Sequence, residues 1–77
     1  MEYDARVVAE SLRRHRSERG LSLRSAGLEA NVGYQTLNNY ELGATGMSFE
    51  NAWRLANLYG CSLDELGGRV LEGKGVA

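Results

Sequence analysis

The side chains best suited to specific recognition fall in one short stretch, Tyr34-Gln35-Thr36-Leu37-Asn38-Asn39. Gln35 and Asn39 stand at i and i+4, a spacing that puts both on one face of a helix. A terminal amide on such a face can donate to N7 of adenine while accepting from its N6 amino group. That bidentate contact is worth about 1–3 kcal/mol against the wrong base. Tyr34 offers a ring to a thymine methyl or a hydroxyl to a phosphate. On an isolated helix the same residues are merely solvated, so their meaning depends on what holds them. No nucleophile–base pair, carboxylate dyad, phosphate loop or metal cluster stands out, which points away from an enzyme and from any cofactor or metal. His15 and Cys61 are too far apart in the chain to suggest a zinc site, and His15 is expected to be packed or half-exposed.

The elements that must position these residues can be read from apolar spacing and stop signals, because proline is absent. Ala5, Val8, Ala9 and Leu12 mark one face of a first helix, begun by Asp4 and stopped by Gly20 after Arg19. Ser22 caps a second helix through Leu23, Ala26, Gly27 and Ala30. Asn31 follows, a residue that tolerates the left-handed conformation. A third helix begins near Gly33 or Tyr34 and runs to Leu42, with Leu37 and Tyr40 inward and Gly43 at its end. Ser48 caps a fourth, whose Phe49, Ala52, Trp53, Leu55, Ala56 and Leu58 or Tyr59 are expected to form the centre of the core. After Gly60, Ser62-Leu63-Asp64-Glu65 is a capping box opening a short fifth helix through Leu66. The expected fold is all-α, a five-helix domain over residues 1–71 with a tail over 72–77.

The second and third helices, joined by Asn31-Val32-Gly33, have the spacing of a helix-turn-helix. Gly27 is small where the helices cross, Asn31 makes the turn, and Val32 and Leu37 lock the pair. A tight structural hairpin of two helices shares part of this pattern.

Size and charge narrow the classes further. Seventy-seven residues allow one domain with a thin core. No run of apolar residues is long enough to span a membrane, and the lone Cys61 suits a reducing, cytoplasmic setting. Net charge is −1, but it is polarised. Residues 1–24 hold Arg6, Arg13, Arg14, Arg16, Arg19 and Arg24 against Glu2, Asp4, Glu10 and Glu18. Residues 25–77 hold Arg54, Arg69 and Lys74 against six acids. Such a balance predicts weak binding to phosphate backbone in the absence of specific contacts.

From Leu12 to Leu66 the chain resembles the phage-repressor or Xre-type (Cro-like) helix-turn-helix family. The matching stretches are Leu12-Arg13 with Arg16, Arg19-Gly20-Leu21-Ser22-Leu23, Val32 through Thr36-Leu37 to Glu41-Leu42-Gly43, Ser48, Leu55-Ala56, Leu58 and Ser62 through Leu66. The family usually has Ala at position 27, Leu at 26, Gly at 31 and Ser at 33. Its loop before the fourth helix commonly carries a basic residue and Pro, where this chain has Ala44-Thr45-Gly46-Met47.

The resemblance implies a five-helix repressor-like fold that binds double-stranded DNA sequence-specifically, usually as a homodimer. It implies base contacts from Tyr34, Gln35, Asn38 and Asn39, with the third helix (about 34–42) in the major groove. Backbone contacts are expected from Ser22, Arg24, Thr36 and Thr45. Thr36 has a second reading, as a cap of its own helix. Arg16 and Glu41 are expected to form a partly buried ion pair, although Arg16 read alone also suits a phosphate. Leu63, Leu66, Val70 and Leu71 are the expected dimer patch, and the bland reading of Leu63 and Leu66 is core closure. Control is expected through concentration or a regulatory protein partner. The alternative function is a protein-interaction module of the same fold, antitoxin-like or adaptor, with weak or no DNA binding. The net charge and the uncharged Gly43–Ser48 loop favour that alternative.

Overall fold

Asp4 starts the first helix, α1 (Ala5–Glu18), by accepting from the Arg6 N–H at 3.0 Å and the Val7 N–H at 3.4 Å. The computed structural model describes residues 2–69. It continues with α2 (Leu23–Ala30), α3 (Tyr34–Leu42), α4 (Phe49–Tyr59) and α5 (Leu63–Leu66), with no strand among the described residues. Serines open three of these helices by accepting from the N–H three residues on: Ser22 from Ser25, Ser48 from Asn51 and Ser62 from Glu65. At α5 the Glu65 carboxylate returns the contact to the Ser62 N–H at 2.8 Å, completing the capping box. The bonds from Ser62, the backbone N–H first, hold the Glu65 carboxyl below its ordinary range. Left-handed residues stop α2, α3 and α4: Asn31 at φ 59°, Gly43 at 74° and Gly60 at 68°.

These stops turn the chain so that α1 packs on α3 and α5, α2 on α3 and α4, and α4 on α5. Leu12, Leu37, Leu55 and Leu66 are fully enclosed at the junction. Three details differ from the expected core. Phe49 and Trp53 are 70% and 55% exposed, so of the residues expected in the core α4 fully buries only Leu55, Ala56 and Tyr59. Phe49 and Trp53 sit one turn apart on an adjacent stripe, with ring centroids 6.0 Å apart. On α1, Ala5 is exposed and Ser11 buried; the Ser11 hydroxyl donates to the Glu65 carbonyl at 3.0 Å, tying α1 to α5. Leu66 was expected at a dimer surface, but a side chain with no exposed area cannot meet a partner, and it closes the core. His15 packs against Tyr59, with rings stacked at 6.1 Å. Its Nδ1 lies 2.9 Å from the Ser11 carbonyl, which can only accept and so places the proton on Nδ1.

The helix-turn-helix crossing explains why position 27 departs from alanine. A Cβ on Gly27 would lie 2.8 Å from the Val32 carbonyl oxygen and 3.7 Å from the Tyr34 Cα. Both are backbone atoms of the turn and of α3, which cannot swing aside as a side chain would. Gly27→Ala gains about 0.5–1 kcal/mol of helix propensity, against a cost of about 1–3 kcal/mol for overpacking. A net loss of about 1 kcal/mol is expected in urea unfolding; a gain in stability would show that the crossing has slack.

Candidate nucleic-acid interface

Helical periodicity divides α3 into two sides. Leu37, Tyr40 and Glu41 are buried, whereas Tyr34, Gln35, Thr36 and Asn39 are exposed and Asn38 is half-buried. The exposed set therefore stands where the amide spacing required, with Asn38 less free than its neighbours. Unlike the other four helices, α3 begins without a side-chain cap, because its N-cap is Gly33. Thr36 is exposed, and its side chain makes no hydrogen bond among the described residues.

The buried side of α3 is held by polar bonds as well as by apolar contact. Arg16 Nε donates to Glu41 Oε2 at 2.8 Å and its Nη2 to Oε1 at 2.9 Å, a bidentate pair. The third guanidinium nitrogen donates to the Leu21 carbonyl at 2.9 Å, fixing the strand of chain that leads into α2. The hydrogen bond to Glu41 raises the Arg16 pKa above its ordinary value, against the opposing effect of burial. Arg16 thus joins α1, the α1–α2 loop and α3. Arg13 also donates to the backbone carbonyl of Glu41, closing the far end of α3. Tyr40 accepts from the Asn51 amide at 2.9 Å, linking α3 to α4. Arg54 donates to the Asn31 carbonyl at 3.1 Å and to Glu50 at 2.7 Å, bracing the turn itself. The roles of Arg13 and Arg54 were not legible in the sequence, since an arginine on a surface helix carries no mark of the carbonyl it will reach.

Tyr59 lies beneath this cluster. Its hydroxyl is buried with no hydrogen-bond partner among the described residues. Burial, followed by the nearby Glu41 carboxylate, pushes its pKa up to about 12. A hydroxyl that ionises less readily folded than unfolded contributes stability that is complete below the unfolded value of about 10 and is lost as pH rises toward 12. Tyr59→Phe removes an unsatisfied buried group, so it is expected to stabilise by about 1 kcal/mol at pH 7. It should also flatten stability loss between about pH 10 and 12. Urea titrations at both pH values check this, and a destabilised phenylalanine variant would mean the hydroxyl has a partner.

The residues expected to contact the DNA backbone are all exposed, Thr36 on α3 itself and the others on α2, its cap and the α3–α4 loop. Ser22 is exposed, and its hydroxyl caps α2 and contacts Ser25 Oγ at 3.1 Å. Thr45 is exposed in the α3–α4 loop. Arg24 is exposed on α2 with its guanidinium carbon over the Tyr34 ring, 4.9 Å from the centroid. The sequence reading gave these two residues separate roles and did not anticipate that they touch. Of the expected dimer residues, Leu63 packs half-buried against the core, while Val70 and Leu71 lie outside the described residues.

A short helix crossed closely by a second, whose first turns expose amide and aromatic side chains, defines the class of helix-turn-helix DNA-binding domains. The family model described as helix-turn-helix matches residues 12–66, covering all of α2 through α5 and the second half of α1. The chain belongs to the Xre/Cro-like helix-turn-helix family, a family of DNA-binding regulators. Comparisons with curated proteins and with solved structures returned no match. Among the described residues, no helix is long and apolar enough to cross a membrane.

Proposed function

We propose that the protein is a sequence-specific transcriptional regulator of the repressor type that inserts α3 into the major groove of duplex DNA. The observation that carries this reading is the exposed row Tyr34, Gln35 and Asn39 on a helix whose opposite side is locked by Leu37, Tyr40 and Glu41. In the docking mode of such units the N-terminal residues of the second helix meet base edges. Tyr34, Gln35, Asn38 and Asn39 are the base-contacting set, with Asn38 at its half-buried edge. Ser22, Arg24, Thr36 and Thr45, all exposed, are the candidates for backbone contacts. The uncapped start of α3 and the serine-capped start of α2 add backbone N–H groups and the positive end of each helix dipole.

One unit of this size reads few base pairs, so a homodimer on two half-sites about one helical turn apart supports useful specificity. With Leu66 in the core, Leu63, Val70 and Leu71 are the remaining candidates for that contact. The domain so proposed extends to residue 71, with 72–77 as tail.

A second reading keeps the fold as a protein-interaction module. It is favoured by the exposed Phe49–Trp53 pair and by the lack of charge in the 44–47 loop. Selection from a random duplex pool at low salt, followed by affinity measurements across salt, separates the two. A regulator should enrich a pseudo-palindromic site and weaken steeply with salt, in proportion to the phosphates it neutralises. No enriched site would favour the interaction module, and sedimentation of the DNA-free protein as a monomer at high micromolar concentration would remove the dimer.

A further inference from the structure

We propose that Arg24 reads a base, a guanine, and that Tyr34 holds it in position to do so. This rests on the DNA-binding reading above and sharpens it, since Arg24 would otherwise be one more phosphate contact.

The contact follows from the local geometry. Arg24 and Gly27 are three apart on α2 and so share a face. The missing Cβ at Gly27 lets the start of α3 approach until the Tyr34 Cα lies 3.7 Å from where that Cβ would be. The first residue of α3 is thereby brought beneath the side chain one turn earlier on α2, and the Arg24 guanidinium sits over its ring. Tyr34 remains 43% exposed, so the pair stands at the surface rather than inside it.

Two consequences decide what the arginine can do. Among the described residues no carboxylate lies within ion-pair distance of Arg24, unlike Arg14, Arg16, Arg54 and Arg69. Its charge and its donors are therefore uncommitted. A guanidinium seated over a ring also keeps the N–H donors at its edge free, and the ring limits its rotamers before any ligand arrives. An ordered planar fork of donors matches the O6 and N7 acceptors on the major-groove edge of guanine. Its position over the first residue of α3 places it on the base-facing side of the unit. The fork also suits a phosphate, so it is the seat over the first residue of the helix that enters the groove that favours a base.

The test uses the duplex enriched from a random pool and the same duplex with single guanines replaced by 7-deazaguanine, which still pairs but lacks N7. The wild-type chain should lose roughly 10-fold in affinity at one guanine in each half-site. Arg24→Met, which keeps the stem but no donor, should bind more weakly and show no further loss at that guanine, and Tyr34→Leu should show a much reduced one. Tyr34→Phe, which keeps the ring, should retain the loss at that guanine whatever its overall affinity. Both residues are exposed, so circular dichroism should show every variant folded. If Arg24→Met still loses affinity at the same guanine, or weakens all duplexes alike and lowers the salt slope by about one, Arg24 is a phosphate contact and the proposal is overturned while the regulator reading stands. If the wild-type chain enriches no duplex, both fall together.

Discussion

Replacing Glu41 by alanine is expected to remove about 3 kcal/mol of folding stability, a large part of what a domain of this size possesses. The Glu41 side chain is only 4% exposed and accepts both N–H groups of the Arg16 fork. Without it, a guanidinium whose side chain is 20% exposed keeps only the Leu21 carbonyl as partner. Burial of an unpaired charge costs far more than the pair contributes when intact, which is why the single deletion is severe. The partial exposure of Arg16 lets water reach it and holds the loss below the upper end of that range, about 5 kcal/mol. Arg16→Met with Glu41→Leu should be more stable than either single variant, because it removes both charges together. Urea unfolding of the four proteins at pH 7 gives the coupling directly. An alanine variant within about 0.5 kcal/mol of wild type would show that the pair does not hold α3.

The second large effect concerns binding rather than folding. Gln35 and Asn39 are exposed and make no tertiary hydrogen bond among the described residues, so alanine at both should leave the urea midpoint nearly unchanged. The same double variant should lose about 100-fold or more of its preference for the selected site, since each bidentate amide contact contributes about 1–3 kcal/mol of discrimination. Binding to unrelated duplex at low salt should persist, because it comes from phosphate contacts. The ratio of selected to unrelated affinity is therefore the quantity to measure. An unchanged ratio would move base readout elsewhere, with Tyr34 and Asn38 the nearest candidates.

These two variants separate the two faces of one nine-residue helix. Glu41 and Leu37 lie on the side that holds α3, whereas Gln35 and Asn39 are the proposed readers on the exposed side. Arg13, Arg16 and Asn51 approach from α1 and α4 to fix the buried side. An amide on a helix held at three points loses less entropy on meeting a base than one on a loose helix, and this preorganisation supports the proposed readout in a chain whose net charge is −1.

Local signals alone were enough to place the five helices, because each depends on a cap or a stop within a few residues. Asp4, Ser22, Ser48 and Ser62 start helices, and Asn31, Gly43 and Gly60 end them, through contacts inside their own turn. The division of α3 into Leu37 and Tyr40 inward and Gln35 and Asn39 outward was legible for the same reason, since periodicity is local. Tertiary structure decided what depends on distant partners. It exposed Phe49 and Trp53, although apolar spacing marked them for the core, because no described element covers that stripe of α4. It enclosed Leu66, which spacing could not distinguish from a surface leucine. It also set Arg13 on the end of α3, Arg54 on the turn and Arg24 over Tyr34. A long, flexible cation has no partner written into its neighbours in sequence. Only the folded arrangement of helices, brought close by glycine at position 27, determines which carbonyl, carboxylate or ring it meets.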